Sequence, residues 1–312
     1  MSDTTTTTIR FHAYGEPADV LRLEQAEVAD PGPGRIRVQV HACGLNPADW
    51  ALCHGLFAGS LPRGIGLEVA GVVDAVGAGV DDVGPGDPVL GSADYAGASS
   101  AGAAGVAIMD HWAPLPPGLP MVDAAALPMA VTTAYAHLAA LDVRPGQTVL
   151  VHGAGTTVGF AAVQIARDMG AQVVATAGTT HAQSLRAVEA RVTSYGDGMV
   201  ERVRALVGGA PDLVLDTAPV SGVLPDLVQI ADGDAGRVLT VSDFESAAVL
   251  GVRTSATEGA ALRYDVLAEY AVLAAEQRFW IPVGRCYRLQ EWREALELSL
   301  SGRAGGKLVL LP

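Results

Sequence analysis

The segment Thr148-Val-Leu-Val-His-Gly-Ala-Gly-Thr-Thr-Val-Gly159 holds the residues whose types and spacing best suit chemistry. Its β-branched start predicts a buried parallel strand. Val158, Ala161, Ala162, Ile165 and Met169 then recur at helical period. A glycine turn between such a strand and helix brings main-chain N–H groups and a helix N-terminus up to a pyrophosphate. Gly153, Gly155, Thr156, Thr157, Val158 and Gly159 are therefore candidate dinucleotide-binding residues. The spacing, Gly-x-Gly-x-x-x-Gly, is one residue longer than the usual fingerprint, and a strand-to-helix turn can carry such glycines for packing alone.

The kind of dinucleotide follows from charge. A site for NAD normally ends its second strand with an Asp or Glu that accepts from the ribose hydroxyls. No acidic residue occurs between Asp168 and Glu189. The second strand ends instead in Ala177-Gly-Thr-Thr-His181, with Arg186 beyond it. Gly178, Thr179, Thr180 and Arg186 suit a 2′-phosphate, so NADP(H) is expected. His181 and Arg186 can equally be solvated helix residues, and the preference rests chiefly on the missing acid.

Composition sets the outer limits. The 312 residues are 50% hydrophobic, enough for two domains with sizeable cores. A formal net charge of −14 argues against nucleic acid or an anionic membrane as partner. Cys43, Cys53 and Cys286 lack metal or disulfide spacing and fit reduced thiols of a cytoplasmic protein. The start of the chain has neither a basic region nor an apolar run, so no signal peptide is expected. No stretch is apolar enough to span a membrane. His41, His111 and His137 show no ligand spacing, and no metal is expected.

Several elements must position the glycine turn. Residues 1–8 are polar and expected to fray. Short strands follow at Thr8–Phe11, Leu21–Gln25, Arg35–Ala42 and Val69–Val76, punctuated by Gly/Pro turns, which predicts a barrel-like sheet. Ser92–Gly105, rich in Gly, Ala and Ser, is expected to be a mobile loop. Helical character begins near Val122 and runs through Thr132–Leu141. Beyond the glycine turn, strands at Gln172–Ala177, Arg191–Tyr195, Leu213–Thr217 and Arg237–Ser242 alternate with helices at Gln183–Ala190 and Met199–Val207. That alternation predicts a doubly wound parallel sheet. A helix at Leu262–Ala275, a strand near Trp280–Val283, a helix at Gln290–Leu300 and a strand at Lys307–Leu311 close the pattern.

The segments Gly44-Leu-Asn-Pro-Ala-Asp49, Gly55-Leu-Phe57 and Leu61-Pro-Arg-Gly-Ile-Gly-Leu-Glu-Val-Ala-Gly71 extend the pattern, as do Leu127–Tyr135 and Gly305–Leu310. Taken in order, they resemble the zinc-independent quinone oxidoreductases of the medium-chain dehydrogenase/reductase superfamily. The resemblance implies an α/β protein: a GroES-like β-rich substrate domain (1–121 and 259–312) plus a Rossmann domain (122–258) with a doubly wound parallel sheet. It also implies a homodimer. Zinc-dependent relatives carry Cys where this chain has Asn46 and His where it has Leu67, so the resemblance implies metal-free chemistry. That chemistry would be NADPH-dependent reduction of a small-molecule quinone or α,β-unsaturated carbonyl.

The same resemblance offers Asn46 and Thr133 as catalytic candidates, Phe57 at the substrate mouth, where relatives often carry Tyr, and Tyr195 beside the adenosine phosphate. Asn46, Thr133 and Tyr195 have plainer alternatives. Asn46 can simply make a turn before Pro47, Thr133 can cap a helix, and Tyr195 can be a half-buried strand aromatic. Thr156 and Thr157 replace both middle glycines of the family turn, and cofactor binding then requires a negative φ there. These departures leave open a tailoring enzyme of specialised metabolism, either an enoyl reductase or a redox-lapsed cyclase. They also leave open a cofactor-binding protein without turnover.

Overall fold

The computed structural model describes residues 4–312. The chain forms two compact units, one of the described residues up to Met129 with Tyr264–Pro312, the other of Ala130–Arg263.

The first unit begins with strands β1 (Thr4–Phe11), β2 (Leu21–Val28), β3 (Ile36–Leu45), β4 (Arg63–Gly64), β5 (Glu68–Val76), β6 (Pro88–Ala93) and β7 (Val106–Pro114). β1 pairs with β2 and β4 in a three-stranded sheet. The threonine run does not fray over Thr4–Thr8: Thr6 and Thr8 are buried, and Thr6 Oγ1 accepts from the Val106 N–H. β-branched Thr fits a pleated strand however polar it is. The first three positions of the expected fray lie outside the described residues.

The second unit carries β8 (Thr148–His152), β9 (Gln172–Thr176), β10 (Arg191–Thr193), β11 (Leu213–Asp216), β12 (Val238–Thr240) and β13 (Arg253–Thr254). All pair in parallel, in the order β10-β9-β8-β11-β12-β13. That order reverses between β8 and β11, and an open parallel sheet binds ligands at such a switch point, beyond its strand C-termini. Leu150, Val174, Val203, Val214, Leu227 and Val238 fill one core layer.

The chain then re-enters the first unit with the helix Leu267–Ala275, β14 (Val283–Arg288), the helix Trp292–Leu300 and β15 (Lys307–Leu311). The strand expected near Trp280–Val283 thus begins only at Val283. The sheet order is β14-β15-β3-β5-β6-β7, and β7 also pairs with β3, so β3-β5-β6-β7 closes on itself. Ile36, Val38, Leu52, Val69, Met109 and Leu308 lie in the enclosed core.

Of Ser92–Gly105, the stretches Ser92–Asp94 and Ser100–Ala104 are packed rather than loose, while Ala96, Gly97 and Ser99 between them are exposed. Ser100, Ala101, Ala103 and Ala104 are buried, and Gly102 and Ala103 donate main-chain hydrogen bonds to Gly66 and Ile65. Small side chains let two backbones touch: a Cβ on Gly64 would stand 2.2 Å from Ala101 N, and one on Gly66 2.3 Å from Ala103 N. Gly/Ala/Ser composition here means close approach, not mobility.

Candidate functional site

The glycine turn sits at the C-terminal end of β8. Gly153 has φ +73°, and a Cβ there would meet Ala218 N at 2.6 Å; a Cβ on Gly159 would meet Gly153 O at 2.4 Å. The fold itself therefore demands these two glycines. Gly155 differs, because an added Cβ would touch only His181, at an ordinary 3.5 Å. Its missing side chain leaves space above the turn.

Thr156 takes φ −75°, meeting the condition that its β-branched side chain sets, and is the N-cap of the helix Thr157–Asp168. Its hydroxyl accepts from the Gly159 N–H at 3.0 Å and lies 3.3 Å from Thr217 Oγ1. That hydroxyl is turned into the cap instead of outward. Among the described residues, the N–H groups of Gly155, Thr157 and Val158 have no main-chain or side-chain acceptor. Unpaired donors at a helix N-terminus favour an anion.

Gly178 precedes the helix Thr179–Ala187, so Gly178, Thr179 and Thr180 form a second helix start beside the first. Tyr195 is 59% exposed, and its hydroxyl lies 3.5 Å from where a Gly178 Cβ would stand. Tyr195 is thus a loop residue past β10, not a half-buried strand aromatic. Arg186 lies in the last turn of that helix, seven residues or about 10 Å beyond Thr179. The cation that does meet this corner is Arg202, which donates to the carbonyls of Ser194, Tyr195 and Asp197. No sequence signal set it apart from other helix arginines.

Thr133 lies in the second turn of the helix Pro128–Ala140, which rules out the capping alternative. Its carbonyl is 2.6 Å from His137 Nδ1. In the first unit, Phe57 has φ +52° and is 60% exposed, its ring centroid 5.8 Å from that of Tyr95. Arg63 donates to the Phe57 carbonyl at 2.6 Å and to the Tyr95 carbonyl at 3.2 Å. A bulky residue in the left-handed region is strained.

Asn46 directly follows β3 and precedes the helix Pro47–Cys53. Asp49 ties its backbone down: the carboxylate accepts from the N–H groups of Asn46, Gly66 and Leu67 at 2.7–3.0 Å. Burial raises the Asp49 pKa to about 7, against the pull of those hydrogen bonds. The Asn46 side chain is engaged as well. Nδ2 donates to Glu68 Oε1 at 2.8 Å, and Oδ1 accepts from Lys307 Nζ at 2.6 Å. Lys307 also pairs with Glu68, both side chains essentially buried. Adjacent strands β15, β3 and β5 deliver the trio. Lys307 lies 261 residues from Asn46, too far for spacing to reveal the link.

Two family models match the chain: the alcohol dehydrogenase GroES-like domain over residues 32–116 and the zinc-binding dehydrogenase over 189–310. The quinone oxidoreductase of Homo sapiens is 30% identical over 329 residues, covering 97% of each chain. This chain belongs to the quinone oxidoreductase family of the medium-chain dehydrogenase/reductase superfamily. Its α/β fold is thus a GroES-like domain joined to a Rossmann domain. An alcohol dehydrogenase superfamily protein from Novosphingobium aromaticivorans shares that fold, with TM-score 0.83 and 26% identity over 99% of this chain and 100% of the other. The spectinabilin polyketide synthase system protein NorB of Streptomyces orinoci is 35% identical over 95% of this chain, which spans only 14% of NorB.

The family carries a zinc-named member model, so the donor set matters. Among the described residues, no group of three or more His, Cys, Asp or Glu is placed to hold a metal ion. Leu67 offers no lone pair, and the Asn46 amide oxygen already accepts from an ammonium. These residues do not fit a zinc ion, which takes thiolate, imidazole or carboxylate. The glycine turn, with its outward donors and open Gly155, does fit a dinucleotide pyrophosphate.

Proposed function

We propose that this quinone oxidoreductase homologue is an NADPH-dependent reductase of quinones or α,β-unsaturated carbonyls that works without a metal ion. The observation that carries the reading is the turn at Thr156–Gly159. Among the described residues, the main-chain N–H groups of Gly155, Thr157 and Val158 in and beside it stand unpaired, and the fold itself does not require a glycine at 155. Bound NADPH would supply the hydride chemistry.

The chain's own residues supply binding and orientation. Gly155, Thr157 and Val158 hold the pyrophosphate, and Gly178–Thr180 take the 2′-phosphate at a second helix start. Support for NADPH over NADH comes from the lack of any carboxylate after β9, where it would repel that phosphate. Phe57 and Tyr95 offer ring faces to a flat acceptor. Support for the metal-free reading comes from the Leu67 and Asn46 donor set.

A second reading, an enoyl reductase acting on thioester-bound enones, is favoured by the similarity to a polyketide synthase protein along nearly the whole chain. One experiment separates the two. NADPH and NADH are titrated by nicotinamide fluorescence, and loss of reduced-nicotinamide absorbance is then followed with quinones, free enones and an enoyl thioester. Tight NADPH binding with quinone or enone turnover is expected. Turnover of the thioester alone selects the second reading, and no binding of either nucleotide rejects both.

A further inference from the structure

The buried trio of Asn46, Glu68 and Lys307 contains a cation of its own. Lys307 is 1% exposed, held by Glu68 and donating to Asn46 Oδ1 at 2.6 Å. The Glu68 carboxylate is fixed from three sides: Oε1 accepts from Lys307 and Asn46, and Oε2 accepts from the Met129 N–H at 2.7 Å. Nothing in the trio is free to turn. A lysine so fully paired is not a proton shuttle, since no face of it reaches solvent. Asn46, at 5% exposure, is the member nearest the surface, and its second Nδ2 hydrogen has no partner among the described residues.

An ammonium on an amide oxygen draws electron density from the amide nitrogen and so strengthens the remaining N–H as a donor, against the opposing push of the Glu68 carboxylate on the other Nδ2 hydrogen. Such polarisation along a chain of hydrogen bonds is strengthened by a low local dielectric. We propose that Lys307 is a positioning residue that takes the electrostatic place of a metal. Acting through Asn46, it strengthens an N–H donor toward the oxygen that gains charge when the acceptor is reduced. The inference rests on the reductase reading above. The acceptor carbon gains a hydride, with two electrons from reduced nicotinamide; its conjugated oxygen takes the negative charge, and a solvent proton neutralises it. Asn46 neither gains nor loses a proton in that sequence. A donor aimed at developing charge is a large catalytic term, with losses of about 10²–10³-fold when one is removed.

The test compares K307M, E68Q/K307M, N46A and N46A/K307M as full-length chains, with NADPH and with 1,4-naphthoquinone and 2-cyclohexenone as probes. The double variant E68Q/K307M leaves no buried charge unpaired and guards against K307M failing to fold. K307M and E68Q/K307M are expected to lose about 10–100-fold in kcat, with acceptor KM and NADPH Kd within about threefold of wild type, since the effect is indirect. In the N46A background, K307M should cost nothing further in kcat, because its route to the acceptor is gone. A purely structural lysine would behave otherwise, lowering the melting temperature in both backgrounds and raising KM with it. Wild-type kcat in folded E68Q/K307M overturns the proposal, as does an equal loss from K307M with and without Asn46. Wild-type protein that binds no NADPH and reduces neither probe overturns the reductase reading itself.

Discussion

Among single residues, the glycine turn separates two demands that look alike in sequence. Gly153 is required by its backbone, with φ +73° and Ala218 N at 2.6 Å from a Cβ. Gly153→Ala should lower stability by about 1–3 kcal/mol, read by denaturant midpoint; an unchanged midpoint would show that the turn relaxes freely. Gly155 is required by nothing inside the fold, so Gly155→Val should melt like wild type yet lose at least tenfold in NADPH affinity. Wild-type affinity in that variant would remove the turn from the site. Arg202→Ala should weaken NADPH more than NADH, whereas Arg186→Ala, with its side chain two turns from Gly178, should weaken neither by more than about twofold; nucleotide titrations decide between them. The glycines and the missing acid after β9 were legible because a local motif encodes them. Arg202 and Lys307 were not, since only the fold brings each to its hydrogen-bond partners.

Secondary-structure elements followed the sequence best where periodicity was strong. Met199–Val207 and Lys307–Leu311 were expected and found with identical bounds. Thr4–Thr8 and Ser100–Ala104 depart from expectation because β-branching and backbone contact, rather than polarity and small size, decide their order. The packed loop can be tested directly: Gly64→Ala should destabilise by about 3 kcal/mol through overpacking against Ala101, and wild-type stability would refute that contact. The end of β8 carries a pH signature. His152 is buried, with Nδ1 2.7 Å from Thr176 Oγ1, and burial pushes its pKa from 6.5 down to about 4. The unfolded chain therefore binds the proton first. His152's contribution to stability is whole above pH 6.5 and is lost as pH falls toward about 4. His152→Gln should make the denaturation midpoint less sensitive to pH within that window. An unaltered pH slope would mean that His152 does not titrate there.

For the molecule as a whole, family membership was legible because many short motifs occurred in one order across both units. The proposed metal independence concerns the whole chain and can be measured on it. Dialysis against a chelator should leave NADPH-dependent turnover within about 20% of the untreated protein, as expected of a donor set unfit for zinc. Lost activity restored by added zinc would contradict it. No helix among the described residues is long and apolar enough to cross a membrane. The tight seam between Gly64–Gly66 and Ser100–Ala103 has a practical corollary for anyone wishing to redirect acceptor choice. That seam has no slack, so enlarging side chains along it would wreck the barrel before altering what enters. Gly55, in contrast, borders open space and stands two residues from strained Phe57. Variant libraries aimed at new acceptors belong in the exposed Leu56–Ser60, since Gly55 itself, with φ +94°, would be strained by any side chain.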